Sequence, residues 1–344
     1  MKKYIDRLLS FIIRENLHKI LLVMGGLLLL GTIGMAYFEP ERSWADSFWW
    51  SIVTLTTVGY GDIAPTTLPG RIIGGIIMIL GIGILGMFTA TIASIFVENK
   101  LKADRGMSSF DFENHIILCG WNYRAQEILN ELRSDMRSES SPIILIANIE
   151  SKPMDDENLY FIRGDINEEN LNRANLANAK TVIILGNDAF DASARDAHVV
   201  LAALTVESLN PDVYTIVELV NEQNVPHCER ANADEIIVGS KFSSRLISRA
   251  ALDHGISKVL SELLTPHVGS DLSRIPVPQQ HFGKSFLDVF MEMKRNQNST
   301  VLGIYKQASG VVISNPAVDY QVVEGDQLIV ISEKRAGESV KYNL

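Results

Sequence analysis

The segment T-T-V-G-Y-G-D, residues 56–62, carries residue types that could bind a cation through the backbone itself. Glycine adopts backbone conformations that other residues resist, so glycines on both sides of a tyrosine would let consecutive carbonyls point inward. Carbonyl oxygens arranged in this way, with one threonine hydroxyl, can replace the hydration shell of a potassium ion. An ordinary turn is the alternative. The predicted ion-binding residues are Thr57, Val58, Gly59, Tyr60 and Gly61.

Two long uncharged segments flank this loop. Residues 20–38 contain no charge in 19 positions, and residues 72–97 contain none in 26. Each segment is long enough to cross a hydrocarbon core of about 30 Å, so two buried helices of a soluble protein are the weaker alternative. The second segment exceeds the length that a span needs, which predicts that the helix tilts or that its end projects into the cytosol.

Basic residues lie mostly outside the two predicted spans. The segment between the spans, residues 39–71, contains only Arg42 and Arg71. The positive-inside rule therefore predicts a multi-pass protein of the cell inner membrane with both termini in the cytosol. Residues 4–13 place apolar groups on much of one helical face and would lie in the membrane interface, in contact with membrane lipids. The basic residues outside the spans are Lys2, Lys3, Arg7, Arg14, Lys19, Lys100, Lys102 and Arg105.

The segment SWADSFWWSIVTL, residues 43–55, predicts a short helix before the ion-binding loop. Ser43 or Asp46 could cap it, and its tryptophans suit an interfacial packing surface. The helix is too short to cross the bilayer, so the chain must enter and return. Irregular backbone at that depth is tolerated only where protein buries it or where it lines a water-filled path. Residues 56–61 would form that return.

From about residue 114 the pattern changes to alternating strands and helices. Six apolar runs predict parallel strands, and the amphipathic stretches between them predict helices. That order is typical of a doubly wound sheet, which binds ligands at the carboxyl ends of its strands. The predicted strands are 115–119, 142–147, 159–162, 181–185, 213–217 and 235–238, and the predicted helices are 123–137, 167–176, 190–208 and 221–231.

The turn after the first strand, G-W-N-Y-R-A at residues 120–125, partly matches the dinucleotide-binding pattern G-x-G-x-x-G/A. Asn122 replaces the middle glycine and would hinder a close approach of a pyrophosphate, but its side chain and Arg124 could supply donors. A phosphate of an adenine nucleotide, NAD or ADP/AMP, would lie at the helix start. The alternative is that the carboxyl ends of these strands bind no ligand. The predicted nucleotide-binding residues are Gly120, Trp121, Asn122, Tyr123, Arg124, Asn148, Glu150, Gly164, Asp165, Ile166, Gly186 and Asn187.

These features together resemble a known family. The loop TVGYGD between two spans resembles the pore of two-transmembrane potassium channels, and residues 107–344 resemble the cytoplasmic "regulator of potassium conductance" (RCK) domain. The whole chain is similar to prokaryotic ligand-gated potassium channels of the calcium-gated archaeal type. The segments that carry the second resemblance are ILCGW, the GD after the third strand, NLNRANLANAKTVII, ANADEIIVGSKFSSRLIS and VVEGDQLIVI.

The resemblance implies a homotetramer that holds potassium ions in its filter, and a ring of eight RCK domains. Four of those domains would come from an internal start, which Met107 matches in position; an ordinary linker methionine is the alternative. Gly81 and Gly83 fall where the family has its gating hinge, although glycines also let helices pack closely. Glu218 matches one acidic ligand of the calcium-gated relatives. Calcium is therefore possible, but Leu185 and Val220 stand where two further acidic ligands are expected.

The predicted fold class is an α-helical membrane pore, with two transmembrane helices and a re-entrant pore helix, fused to a Rossmann-like α/β RCK domain with a small α+β C-terminal lobe. No catalytic residues are predicted, because a dehydrogenase would need a second, substrate-binding domain and none is evident in the sequence. The net charge of −10 argues against binding of nucleic acid. The alternative function is a nucleotide-sensing regulator of potassium uptake. The predicted segments are an interfacial helix (1–17), the pore (18–98), a linker (99–113), the RCK N-lobe (114–245), crossover and dimerisation helices (246–267) and the C-terminal lobe (268–344).

Overall fold

The structure is a computed structural model that describes residue 13 and residues 17–135, 137–265 and 269–333. The chain divides into two compact units, Met1–Ala103 and Asp104–Leu344, and each is described by itself. The interfacial helix predicted for residues 1–17 lies outside the described residues except at Ile13 and Leu17.

From residue 17 onward, the first unit shows the helices α1 (Leu17–Phe38), α2 (Trp44–Leu55) and α3 (Leu68–Asp104). Both α1 and α3 are long and apolar enough to cross a membrane. Helix α2 begins after Ser43, whose hydroxyl accepts a hydrogen bond from Asp46 N at 3.1 Å. Ser43 is therefore the N-cap, and Asp46 lies in the first turn, where its charge suits the helix dipole.

Glycines let the helices of this unit approach each other. A Cβ built on Gly31 would lie 2.8 Å from Ser51 Oγ of α2, and one built on Gly34 would lie 2.8 Å from a methyl of Ile73 in α3. Both distances are shorter than van der Waals contact, so larger residues would push the helices apart.

Helix α3 is longer than the predicted second span. Its 37 residues extend over about 55 Å, which exceeds the hydrocarbon core of about 30 Å. The helix continues to Asp104, so the first six residues of the segment predicted as a linker, 99–104, are helical. Lys102 and Glu98 form an i,i+4 ion pair of 2.7 Å on this part of the helix.

The second unit begins with a six-stranded parallel sheet of order β3-β2-β1-β4-β5-β6. Helices on both faces cover two separate hydrophobic cores. This is the doubly wound fold that the alternating pattern predicted. The strands are β1 (Ile116–Cys119), β2 (Ile143–Ala147), β3 (Leu159–Arg163), β4 (Thr181–Ile184), β5 (Tyr214–Leu219) and β6 (Glu235–Val238), and the helices are α4 (Tyr123–Ser134), α5 (Glu168–Arg173), α6 (Ala192–Leu209) and α7 (Val225–Arg230).

Two helices and a small α+β lobe follow the sheet. Helix α8 (Gly239–Leu252) and helix α9 (Ile256–Leu264) meet at Gly255, whose φ of 97° permits the sharp turn between them. The helix–turn–helix was predicted from residue 246, but α8 begins seven residues earlier. Over residues 269–333, the lobe has an antiparallel sheet of order β7-β10-β8-β9 and an α-helix. These elements are β7 (Ser270–Pro276), α10 (Phe286–Gln297), β8 (Thr300–Lys306), β9 (Val311–Ser314) and β10 (Asp326–Glu333).

Candidate functional site

The loop between α2 and α3 alternates between two backbone conformations. Thr57, Gly59 and Gly61 have positive φ angles of 62°, 59° and 75°, and the residues between them do not. In an extended strand successive carbonyls point to opposite sides, and a left-handed residue at every second position reverses that flip. Carbonyls that point to a common side are what ion coordination by a backbone needs.

The left-handed conformation of Thr57 is a feature that sequence reasoning missed. A β-branched residue rarely adopts it, and such strain costs of the order of 1–3 kcal/mol. Hydrogen bonds hold the loop in place: Thr57 N donates to Thr54 O at 3.1 Å, and Val58 N donates to Val53 O at 3.0 Å. No feature of the threonine itself signals this conformation, because the end of α2 imposes it.

Aromatic and acidic side chains support the loop from one side. The rings of Tyr60 and Trp49 stack, with centroids 6.0 Å apart and planes within 8°. Trp49 Nε1 donates a 3.0 Å hydrogen bond to Asp62 Oδ2, which lowers the pKa of that carboxyl. Tyr60 therefore packs against the tryptophan-containing helix, whereas Val58 is 54% exposed in the single chain.

A buried carboxylate joins the end of α1 to the start of α3. Glu39 is 5% exposed and accepts hydrogen bonds from the backbone N–H and hydroxyl groups of Thr66 and Thr67, at 2.6–2.9 Å. The Thr66 hydroxyl and the other three donors lower the pKa of Glu39 to about 2. Sequence reasoning gave Glu39 no role, because its partners follow it by 27 and 28 residues.

The two predicted hinge glycines of α3 have different surroundings. A Cβ built on Gly81 would lie 3.0 Å from Leu55 Cδ1 and 3.4 Å from the Leu55 backbone. This contact favours the packing alternative at Gly81. A Cβ built on Gly83 would have no described atom within 4 Å apart from its own helix. The missing side chain at Gly83 therefore serves no contact within the described part of the chain.

The second candidate site lies at the carboxyl edge of the parallel sheet. The strand order reverses between β1 and β4, which is the switch point where doubly wound sheets bind ligands. Gly120 follows β1 at this point, with a φ of 95° and a Cβ position only 2.8 Å from the Leu185 carbonyl oxygen. A side chain would not fit, so Gly120 allows the turn into α4 to lie against the end of β4.

Asn122 is the N-cap of α4. Its Oδ1 accepts from Ala125 N at 2.9 Å, and its Nδ2 donates to the carbonyl oxygen of Gly186 at 2.9 Å. The sequence predicts a phosphate as the partner of this amide. Both polar ends of the side chain instead bind the protein, so a phosphate would first have to displace one of these bonds.

Arg124, in the first turn of α4, forms ion pairs with residues at the ends of two strands of the sheet. Its Nε lies 2.7 Å from Glu218 Oε1, at the end of β5, and its Nη2 lies 2.7 Å from Asp188 Oδ1, after β4. Arg195 Nη1 also contacts Asp188 Oδ1, at 3.1 Å. Arg124 is half-buried, and although burial lowers its pKa, the two carboxylates more than offset this and raise it above the ordinary value. The predicted phosphate ligand and the predicted calcium ligand are therefore bound to each other.

The turns after β2 and β3 meet at the same edge. Asn148 Nδ2 lies 3.5 Å from Asp165 Oδ1, and Gly164 N donates to Ala147 O at 3.1 Å. Glu150, the other predicted ribose ligand, is exposed. Polar side chains predicted to contact one ligand are thus brought together here.

The remaining predicted contact residues have separate environments. Trp121 and Ile166 are partly buried and pack on the two opposite cores. Tyr123 is 74% exposed, Asn187 Oδ1 accepts from Ala189 N at 2.9 Å, and a Cβ on Gly186 would overlap the Arg195 side chain. Among these residues, Tyr123 offers the largest accessible surface.

The structure adds residues that the sequence did not indicate. The rings of Phe190 and His198 stack with centroids 4.8 Å apart, next to the turn after β4. Asp196 is fully buried and accepts from Val220 N, Asn221 N and Asn224 Nδ2 at 2.8–2.9 Å. Within the described residues, no group of three or more His, Cys, Asp or Glu residues is placed to hold a metal ion.

Three family models match consecutive parts of the chain. Residues 22–98 match an ion channel family, and residues 111–217 match the calcium-activated potassium channel slowpoke-like RCK domain. Residues 240–344 match the Castor and Pollux family, described as part of a voltage-gated ion channel. The order of the matches is the order of the pore, the parallel sheet and the C-terminal lobe.

Individual relatives cover the same architecture. The chain is 31% identical over 312 residues to the "Putative potassium channel protein YugO" of Bacillus subtilis, covering 89% of this chain and 92% of that protein. It is 32% identical over 232 residues to the "Calcium-gated potassium channel TvoK" of Thermoplasma volcanium, covering 66% of each. A solved structure of the human SLO3 gating ring shares the fold of the second unit with a TM-score of 0.55, at 17% identity, over 67% of this chain and 49% of that chain. The chain belongs to the family of two-transmembrane potassium channels that carry an RCK domain.

Proposed function

We propose that Thr57–Gly61 is the selectivity filter of this potassium channel and that four copies of the chain surround the ion path. The observation that carries the proposal is the alternating left-handed backbone at residues 57, 59 and 61. These residues are exposed in a single chain, as a loop completed by neighbouring copies would be. Both termini lie in the cytosol, and the spans lie in the inner membrane.

Substitution of Gly59 tests the filter assignment. Gly59→Ala places a side chain at a φ of 59°, where L residues are disfavoured by about 1–2 kcal/mol in each subunit. We expect loss of selectivity for potassium over sodium, or loss of conduction, in liposome flux assays. Gly25→Ala is the matched control, because Gly25 lies in α1 with open space around its Cβ. A Gly59→Ala channel that excludes sodium normally would refute the assignment.

We infer that an adenine nucleotide, NAD or ADP/AMP, binds at the carboxyl edge of the parallel sheet and biases the gate. The switch point at Gly120, the start of α4 and the arginine at position 124 support this inference. Because Arg124 binds Asp188 and Glu218, a phosphate would exchange places with these carboxylates. A ligand shifts the gate only if it binds the open and closed channel with different affinity.

Arg124→Ala tests the nucleotide site. We expect NAD and ADP to bind the intact channel more weakly in calorimetry, by about tenfold or more for the loss of a charge-assisted contact. Potassium selectivity should not change. Arg274→Ala is the control, since Arg274 lies over the ring of Tyr305 in the C-terminal lobe. No measurable binding of NAD, ADP or AMP to the wild-type channel would defeat the inference.

Calcium is the second candidate ligand. The name of the Thermoplasma volcanium relative includes calcium gating. Arg124 contacts both Asp188 and Glu218, so these two carboxylates lie within the reach of one guanidinium group. A calcium ion prefers six to eight oxygen ligands and would have to displace Arg124. If calcium is the ligand, Arg124→Ala should strengthen calcium binding, whereas the nucleotide proposal predicts no such gain.

We infer a binding role rather than a catalytic role for this edge of the sheet. Arg124, Asp188 and Glu218 are paired with one another instead of being presented to a substrate. The fused pore argues against a role as a separate regulatory subunit of a potassium uptake system. We expect that the purified channel hydrolyses none of these nucleotides.

A further inference from the structure

The residues that follow helix α3 are hydrogen-bonded to the RCK domain and do not form a free tether. Helix α3 ends at Asp104, whose carbonyl accepts from Lys152 N at 2.8 Å. Two residues later, the Gly106 carbonyl accepts from Arg163 N at 3.1 Å and from Arg173 Nη2 at 2.7 Å. The segment from Asp104 to Gly106 is therefore part of the second unit and is hydrogen-bonded to it from its first residue.

Gly106 cannot be replaced without loss of this contact. Its φ is 69°, and a Cβ built on it would overlap the backbone nitrogen of Arg163 in β3. The glycine thus lets the chain lie directly against the edge strand of the parallel sheet. A larger residue would combine backbone strain with a steric clash, and both would lift the segment from the strand.

Arg173 holds two carbonyls of this segment at once. Its Nη2 donates to the carbonyls of Gly106, at 2.7 Å, and of Ser108, at 2.9 Å. Its own carbonyl accepts from Phe110 N at 2.8 Å. The ring of Phe112 then packs on Tyr160 of β3, with centroids 4.4 Å apart. The attachment therefore extends from residue 104 to residue 112.

Arg173 is also connected to the candidate ligand site. Its Nη1 donates to Asn170 Oδ1 at 2.8 Å, and Asn170 Nδ2 donates to the carbonyl oxygen of Asp165 at 2.9 Å. Asn170 is 6% exposed, and a Cβ on Gly164 would lie 2.5 Å from its Nδ2. The buried amide is thus fixed between the turn after β3 and the guanidinium of Arg173.

We propose that Asn170 and Arg173 are positioning residues. They transmit movement of the Gly164–Asp165 turn to Gly106 and Ser108, and so to helix α3. The planar guanidinium is suited to this role, because its fixed fork holds three oxygens in one geometry, which an ammonium cannot do. The proposal deepens the gating role proposed above, and it concerns the connection rather than the identity of the ligand. When no ligand is bound, the same connection lets the conformation of the RCK domains influence the open probability of the pore.

The test uses the full-length channel in planar bilayers, with wild type, Arg173→Lys and Gly106→Ala. Without ligand, we expect both variants to change the open probability in the same direction. With saturating NAD, ADP or calcium, we expect the change in open probability that the probe causes in wild type to fall by about tenfold, the size of a typical allosteric coupling. Potassium selectivity should stay within about twofold of wild type, and calorimetry should still detect binding of the probe, with a change in affinity no larger than the lost coupling.

Gly310→Ala is the matched control, because Gly310 also has a positive φ, 67°, but a Cβ there would contact nothing within 4 Å. It should behave as wild type in both measurements. If both variants keep the wild-type open probability without ligand, the connection transmits nothing and the proposal is overturned. A full response to a probe in Arg173→Lys would overturn it as well. Failure of all three probes to bind wild type would defeat the nucleotide and calcium assignments, and the ligand-free comparison would still decide this proposal.

Discussion

At the scale of single residues, the loop proposed as the filter is where glycines in the sequence indicate the backbone conformation most directly. Two glycines and a tyrosine between two apolar segments leave few structural solutions, and Gly59 and Gly61 both have positive φ. The strained threonine at position 57 could not be predicted, because its conformation comes from hydrogen bonds at the end of α2. Position 57 carries a hydroxyl and unusual backbone geometry together.

Removal of the indole that donates to Asp62 should raise the pKa of that carboxyl, so the loop should become sensitive to acid at a higher pH. In wild type the hydrogen bond from Trp49 lowers the pKa of Asp62 below its ordinary value, so the stabilisation is present above that ordinary value and is lost as pH falls through the lower native pKa. Trp49→Phe keeps the ring that stacks on Tyr60 but removes the donor. We expect its potassium current to fall at a higher external pH than the wild-type current, measured by acid titration on the outer side. Trp44→Phe, at an indole that is 65% exposed, is the control; equal titration of all three channels would contradict the prediction.

At the scale of elements, the sequence predicted the order of strands and helices but not the pairing of side chains between them. Apolar runs of four to six residues separated by amphipathic stretches specify a doubly wound sheet, because both faces of each strand must be buried. Arg124 and Glu218 are 94 residues apart, and no local pattern reveals their contact. Several residues predicted to contact a nucleotide do lie at one edge of the sheet, whereas the contacts of Arg124 and Asn122 with the protein could not be foreseen.

Asp196 connects α6 to the turn that follows Glu218, so its substitution should destabilise the RCK domain. Asp196→Asn retains one acceptor but directs an N–H₂ group at the backbone donors of Val220 and Asn221. We expect the free energy of unfolding to fall by about 2–3 kcal/mol, since hydrogen bonds to a buried charge are lost. Thermal unfolding of the purified channel, followed by circular dichroism, measures this loss.

The same chemical change on the same helix provides the control. Asp191 is the exposed N-cap of α6, and its carboxylate accepts from Ser193 N and Ala194 N at 3.0 Å. Asparagine caps helices as well as aspartate does, so Asp191→Asn should be nearly neutral. Equal destabilisation by the two substitutions would show that burial of Asp196 does not matter.

At the scale of the whole molecule, several apolar surfaces have no partner within the described chain. Val58 in the proposed filter is 54% exposed, and on α8 and α9 Ile247, Leu252 and Leu264 are 69%, 76% and 62% exposed. The resemblance to RCK domains implies that residues 246–267, which include the second surface, take part in dimerisation. Exposed apolar groups of this size favour association with further copies of the chain.

The internal start at Met107 is a prediction about the composition of that assembly. A subunit that begins there would retain Ser108 but lack Gly106. It would therefore have only part of the attachment that residues 104–112 make after helix α3. Met107 is 63% exposed, and its replacement should therefore leave the RCK fold intact. We expect a C-terminally tagged channel to yield two products in equal amounts, full length and residues 107–344, and Met107→Ala to yield only the longer one. The response of Met107→Ala channels to ligand should recover when residues 107–344 are co-expressed from a separate start. A single full-length product from the wild-type gene would show instead that Met107 is an ordinary residue of the connecting segment.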